Sequence, residues 1–578
     1  MEKSTSYEAQ TDYDAIIIGG GVSGITSAIR LKTELGLSRV LIIEKALAFG
    51  GTWNANTYPG CACDVPTRLY SISTEQQRTW SSLYAPQTEI KDYLNNVAHK
   101  HNLHDHTLFG YVGKRATFHA PSGTWHVEAQ SASGEKATWS GTARVLVSGM
   151  GALSIPKKCD VPGASEFKGA LFHSAQWDPT VSIEGKRVVI LGNGCSSTQV
   201  IGAIAPKVAQ ITQIVRSKHW VSPFPKDLFK RFAALQRYVP GWTQLERFNL
   251  AMYMESHFIQ SDRCYGRGSR KRYVETCQRY VRECAPREYH DMLLPDPTQI
   301  QVACKRRIFD NGYIPALCRK NVELTTDQAV RITEESVILA SGREVKADVI
   351  VLATGFNPDK YILQMDIVGA DGTSLEQYWA ERGVPQAYRS TLVYGFPNLF
   401  LIWGPNSVTG HFSAIWSIEA AVRLMTLLLR PVFSPRALAS ATVCASSRAE
   451  EKEQRYIHQR MQTKIYTTGC GAWYTDPETG KVTALAPCLQ HTFQRRCRNP
   501  VLADIEYKGI EGKPASYMPL KTRLGMALGR GQIPNPDKPQ GALQKAKDAI
   551  GSRTLQAASW VFDQVVPWDF PEPYNRDL

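Results

Sequence analysis

One pattern occurs twice in this sequence, and its first copy already restricts the fold. "YDAIIIGGGVSGITSAIRLK", from Tyr13, passes from an apolar run, Ala15 to Ile18, into Gly19-x-Gly21-x-x-Gly24 and on into a helical pattern that contains Ser23. Glycines at this spacing permit a tight turn and a close backbone approach to a pyrophosphate. The helix that follows offers free N–H groups and a positive dipole end. A second apolar run, "RVLIIE", ends in Glu44, twenty residues beyond Gly24. A carboxylate there can accept from a ribose hydroxyl. A lone glycine motif is weak evidence, but strand, glycines, helix, strand and acid in this order specify an adenine dinucleotide.

The second copy is "KRVVILGNGCSSTQVIGAIA", with Gly192-x-Gly194-x-x-Ser197 and Ser196 at the start of its helix. Ser197 stands where the first copy has Gly24, and it is small enough for close helix–strand packing. The next strand, "ITQIVRSKHW", offers Arg216, Ser217 and Lys218 where the first copy offers Glu44. An acid would repel a 2′-phosphate and these cations would bind it, so the second cradle is expected to prefer NADPH to NADH. Each copy is followed by a late apolar strand, "ARVLVSGMG" at 143–151 and "ADVIVLATGF" at 347–356. The chain thus binds one dinucleotide, inserts a second nucleotide unit and returns. Two dinucleotides in one chain suggest a flavin reduced by a nicotinamide. The expected fold is α/β, with two Rossmann-like dinucleotide-binding domains, for FAD and NADPH, and a helical insertion in the second.

A chain of 578 residues is too long for one core, which fits two or three domains. Its 43% hydrophobic and 21% charged residues are ordinary for a globular protein. No apolar run reaches transmembrane length. The polar start, "MEKSTSYEAQTDYD", lacks the order of a secretory signal. Residues 1–12 are therefore expected to be a disordered leader, and the protein to be cytoplasmic. Thirteen cysteines without a C-x-x-C do not make a disulfide framework; they read as small buried hydrophobes in a reducing compartment. Cys61 and Cys63 have no second pair at zinc spacing, so no metal site is expected. The net charge of +14 is diffuse, without a basic run interleaved with aromatics, which argues against nucleic acid.

Four further segments carry a family resemblance. "FKGALFHSAQWDP" (Phe167 to Pro179) is polar enough to be a loop, yet holds a Phe-x-Gly-x-x-x-His-x-x-x-Trp-Asp pattern. "GGTWNANTYPGCACD" runs from Gly50 to Asp64, "CKRRIFDNGY" from Cys304 to Tyr313, and "GFPNLFLIWGPNSVTGHFSAIWSIE" covers 395–419. With these, residues 13 to about 510 resemble a class B flavoprotein monooxygenase, and more narrowly the Baeyer–Villiger monooxygenases. Trp177 separates them from related flavin N-oxygenases. The departures are Ser197 and a tail from about residue 511.

The resemblance implies an enzyme of secondary metabolism that uses FAD, NADPH and O2. Its substrate would be a ketone, bulky or cyclic, converted to an ester or lactone through a C4a-peroxyflavin. It implies flavin-side roles for Thr52, Trp53, Asp64 and Tyr70, and a contact of Lys305 with the NADPH phosphate. Arg306 maps to the active-site arginine, also beside the cofactors, with Asp64 as its partner; Arg307 leaves a register one residue later open. By the same resemblance His173 couples domain movement to the catalytic cycle. Two alternatives remain: oxygenation of a soft nitrogen or sulfur, and an NADPH-dependent flavin reductase.

The expected organisation is a flavin domain at 13–155 and 356–510, a linker at 156–180 and an NADPH domain at 181–355. Residues 225–300 are expected to be a helical insertion, because "LFKRFAALQRY", "LERFNLAMYMESHF" and "RKRYVETCQRYVREC" space apolar residues by three and four. A C-terminal extension follows at 511–578. In it, after "PNPDKPQ", Leu543, Ile550, Ala557 and Val561 are expected to line one helical face packed on the body, with contact to a membrane surface as the alternative. A monomer or weak oligomer is expected.

Overall fold

The run Ala15–Ile18 lies in the strand Tyr13–Ile18, and it does not alternate because both its faces are buried. This strand pairs in parallel with Val40–Glu44 on one side and Thr138–Ser148 on the other. Thr107–Phe109 extends the sheet beyond Val40–Glu44. The antiparallel strands Thr124–Ser131 and Tyr111–His119 extend it the other way, to Asp366–Val368. Leu399–Leu401 also pairs with Thr138–Ser148. One eight-stranded sheet therefore draws its strands from before and after the second nucleotide unit. The computed structural model describes residues 11–225, 227, 238–357, 364–469, 471–534, 536, 542–565 and 568–569.

The second unit is a five-stranded parallel sheet in the order Val322–Thr325, Gln210–Ile214, Arg187–Leu191, Val349–Leu352, Ala170–His173. Its last member corrects the sequence reading. Ala170–His173 is not loop or linker but the edge strand, in parallel register with Val349–Leu352. The surrounding pattern has packing reasons. A Cβ at Gly169 would lie 2.4 Å from the Asp348 carbonyl oxygen and 2.7 Å from the Phe167 ring, so only glycine lets this strand enter. Trp177 meets Phe172 edge-on, with centroids 5.0 Å apart.

The chain crosses between the two units twice, and the crossings lie side by side. The Lys157 N–H donates to the Gly355 carbonyl at 3.0 Å, and the Asn357 N–H to the Ile155 carbonyl at 2.9 Å. Pro156 and Phe356 form an antiparallel bridge between them.

In the expected helical insertion, Trp242–Ser256 and Arg267–Cys284 are helices; of the first proposed segment, residues 228–237 lie outside the described residues. The helix Ala542–Val565 packs against Trp242–Ser256. The face assigned to it is corrected: Ile550 and Ala557 are exposed, so they do not face the body. The side chains of Leu543 and Val561, and most of "PNPDKPQ", lie outside the described residues. Residues 1–10 of the expected leader do too, but Asp12 is held, accepting from the Thr142 N–H at 2.8 Å. Eleven cysteines are free, most of them buried; Cys304 is disulfide-bonded. Among the described residues no helix is long and apolar enough to cross a membrane, and no His, Cys, Asp and Glu residues group as a metal site.

Candidate active site

The first cradle is shaped by close backbone contacts. A Cβ at Gly24 would stand 1.9 Å from the Gly19 carbonyl oxygen, and Gly19 itself adopts φ +104°. Both positions demand glycine, and the room left by the missing side chains lies at a helix start. The helix Val22–Leu35 has Gly21 as its N-cap, with no side chain bonded to its first amides. Those N–H groups are available to a phosphate. Ser23 is buried in the first turn. Glu44 ends the neighbouring strand and accepts from the Gly20 and Ala46 N–H groups, which fixes its carboxylate beside the turn. Gly51 packs on Gly21, where a Cβ would come within 2.8 Å of the Gly21 Cα. This contact brings the short helix Thr52–Ala55 to the cradle. From it, the Trp53 Nε1–H donates to the Tyr70 hydroxyl at 3.2 Å.

The second cradle repeats the turn with one change. Gly192 has φ +130°, and a Cβ there would strike the Ala353 carbonyl oxygen at 2.4 Å. Ser197 is tolerated because its hydroxyl donates to the Gly192 carbonyl at 2.9 Å and so braces the turn. Gln213 Nε2 donates to the same carbonyl at 2.9 Å. Gly194 caps the helix Cys195–Ile204, with Ser196 in its first turn. Beyond the next strand, Arg216 is exposed and Ser217 half-buried. Lys305 faces the same place: burial, and then the Arg216 charge, lower its pKa. Neither cation has a carboxylate partner among the described residues. Two such cations beside a dinucleotide turn fit a 2′-phosphate. Lys218 differs, because its ammonium donates to the Asp291 carbonyl.

The two cradles meet at Asp64 and Arg306. The Arg306 Nε donates to Asp64 Oδ2 and Nη2 to Oδ1, both at 2.6 Å, a planar two-point pair. Burial opposes the guanidinium's charge, but the Asp64 carboxylate and its hydrogen bonds outweigh it and hold Arg306 charged. Arg307 goes elsewhere, its guanidinium lying over the Tyr273 ring at 5.1 Å. The loop is anchored by Asp310, which accepts from the Tyr280 hydroxyl and from the Tyr313 N–H at 2.6 Å. Asp64 is positioned by the second cradle's helix. There Gln199 accepts from the Tyr58 hydroxyl at 2.9 Å and donates to the Ala62 carbonyl at 3.1 Å. A cavity beside Asp64 is walled by Tyr84, Phe224, Ile308 and Phe309.

A family model described as flavin-binding monooxygenase-like matches residues 14–228. A Baeyer–Villiger monooxygenase of Streptomyces coelicolor is 32% identical to the chain, over 86% of this chain and 93% of its own. A second, from Pseudomonas aeruginosa, is 32% identical over 83% and 89%. The chain belongs to the Baeyer–Villiger monooxygenases. The fold agrees: a cyclohexanone monooxygenase from Rhodococcus sp. Phi1, solved with NADP+, superposes with a TM-score of 0.74. It is 25% identical, over 87% of this chain and all of that one. This Baeyer–Villiger monooxygenase is an FAD- and NADPH-dependent enzyme, and its two cradles have the side-chain-free turns that two dinucleotides need.

The residues singled out in the sequence of this monooxygenase therefore fall into three groups. Gly19, Gly21, Ser23, Gly24, Glu44, Thr52, Trp53 and Tyr70 gather at the first turn. Gly192, Gly194, Ser196, Ser197, Arg216, Ser217 and Lys305 gather at the second. Asp64 and Arg306 join them. Sequence reasoning missed Gln199, Tyr84, Phe224 and Phe309. A single glutamine on a helix carries no pattern, and the aromatics converge from segments far apart in the chain.

Proposed function

We propose that this enzyme inserts one atom of O2 beside the carbonyl of an apolar ketone, bulky or cyclic, giving an ester or lactone. The two-point pair of Arg306 and Asp64 at the junction of the cradles is the observation that carries this reading. FAD, reduced by NADPH, supplies the activation of dioxygen. Arg306 holds a permanent positive charge and several donors where an oxyanion develops on the substrate. Asp64 fixes the plane of that fork. Tyr84, Phe224 and Phe309 pack on one another beside the pair and offer an apolar surface to a substrate. Arg216 and Lys305 hold the NADPH 2′-phosphate. We assign residues 13–155 and 356–510 to the flavin, and the sheet that includes Ala170–His173 to NADPH.

The test is turnover with NADPH, isotopically labelled O2 and a panel of ketones. The expected product is an ester or lactone carrying one labelled atom. A labelled N-oxide or sulfoxide with no ester from any ketone overturns the reading, as does peroxide as the only oxygen product.

A further inference from the structure

The helix Leu520–Ala527 turns leucines to solvent. Leu520, Leu524 and Leu528, the last just beyond the helix, are 63%, 56% and 68% exposed. Their spacing by four puts them on one side. The other side is seated: Thr522 and Gly525 are buried, and a Cβ at Gly525 would lie 1.7 Å from the Asn499 side-chain oxygen. The helix is thus fixed with its leucines outward.

Beside it lies a cavity of about 540 Å³ whose wall includes Arg495, Arg498, Lys521 and Arg530, all exposed. None of the four has a carboxylate partner among the described residues. The acids of the same wall are engaged. Glu34 pairs with Arg423 at 2.7 Å and Arg30 at 3.1 Å. Glu419 accepts from the Ser73 N–H at 2.8 Å and its hydroxyl at 2.7 Å. Lys521 belongs to both features, since it follows Leu520 on the helix and lines the cavity.

We propose that this face docks on an anionic lipid bilayer. The leucines enter the boundary between headgroups and acyl chains, and the four cations meet the phosphate and carboxylate groups. Three exposed leucines on one side of a helix need no preformed groove in what they enter, and a fluid bilayer supplies none. The four cations supply the complementary charge. This contact lies on the surface and requires no spanning helix. It stands apart from the reaction chemistry.

The experiment is co-sedimentation of the full-length, FAD-loaded protein with phosphatidylcholine vesicles, with and without about 30 mol% phosphatidylserine. Binding to the anionic vesicles is expected to be about tenfold or more above the neutral ones, and to be released by about 0.5 M salt. The combined variants Leu520→Ser/Leu524→Ser/Leu528→Ser and Arg495→Gln/Arg498→Gln/Lys521→Gln/Arg530→Gln are each expected to lose about tenfold or more. Their anaerobic flavin reduction by NADPH is expected to stay at the parent rate, which reports an intact fold. Absence of binding to anionic vesicles, or parent-level binding by either variant, overturns the proposal. So does capture of poly-glutamate without capture of vesicles, which would make the face a site for an acidic protein.

Discussion

The His173 Nε2–H donates to the Gly355 carbonyl at 3.1 Å, tying the edge strand of the five-stranded sheet to the chain's return crossing. The other ring nitrogen, Nδ1, accepts from the Ala175 N–H at 3.1 Å. Only the neutral ring protonated on Nε2 makes both bonds, and burial lowers the ring's pKa accordingly. Gly355 also accepts from the Lys157 N–H, so one carbonyl serves both crossings and the histidine.

His173→Ala is expected to retain bound flavin yet turn over more slowly, on the order of tenfold to a hundredfold. The sign of its pH effect follows from the lowered pKa. The ring's contribution to stability is complete above the ordinary histidine value near 6.5 and declines as pH falls below it. Flavin content, turnover and unfolding midpoints across pH are the measurements. Loss of flavin on substitution would assign the residue to the core of the fold instead.

Arg306 is expected to separate the two halves of the reaction. Arg306→Ala retains anaerobic bleaching of the flavin by NADPH, because hydride transfer needs alignment and no oxyanion donor. In air it makes peroxide in place of ester, a loss of about 10²–10³ in product rate. Arg306→Lys largely fails too, since a point charge cannot replace the planar fork paired with Asp64. Arg307→Ala keeps product formation. The reverse result for the two arginines would move the assignment by one residue.

NADPH is expected to be preferred to NADH by about tenfold or more, since each charge-assisted contact contributes about 1.5–3 kcal/mol. Arg216→Ala shrinks this ratio mainly through KM, and Lys305→Ala acts in the same direction. Steady-state kinetics with both nucleotides decide it. Equal use of the two by the unaltered enzyme would leave the paired cations without this role.

Glu255, on the helix Trp242–Ser256, accepts from His411 at 2.9 Å, His491 Nδ1 at 3.1 Å and the His491 N–H at 2.8 Å. Burial raises its pKa, but the bonds from both histidines outweigh this and bring it down to about 2. Because the folded value is depressed, Glu255 contributes its full stabilisation above the ordinary glutamate value of 4.5. That contribution, about 3 kcal/mol, is lost as pH falls from 4.5 towards 2. Glu255→Gln is expected to lower stability at neutral pH by about 1.5–3 kcal/mol and to flatten the acid limb. Denaturant titrations between pH 7 and pH 3 measure both; an unchanged acid limb would mean that other carboxylates govern it.

The two nucleotide turns were legible because their motifs are local. Gly24 is required by the Gly19 carbonyl in its own turn; Gly192 is required by the distant Ala353 carbonyl, yet its spacing to Gly194 repeats the first motif and so betrays it. The pairing of Asp64 with Arg306 spans 242 residues, and no periodicity reports it; family resemblance alone pointed to it. The edge strand Ala170–His173 was hidden for a related reason. Three of its four residues are half-buried, so it lacks both alternation and a continuous apolar run, and its partner lies far along the chain. In Ala542–Val565, a seven-residue spacing grouped Ile550 with Ala557, but spacing does not say which side of a helix meets the body.

The doubled crossing at 155–157 and 355–357 has a mechanical consequence. A single chain joining two bodies acts as a swivel, free to turn about every axis. Two chains laced together by backbone hydrogen bonds act as a hinge with a pin, stiff to splaying and yielding mainly about one line. If NADPH rides on the second body, as proposed above, such a pin would confine its nicotinamide to one arc and return it to the same place. Lengthening one crossing alone would skew the pin, while lengthening both equally would keep the arc and shift only its radius.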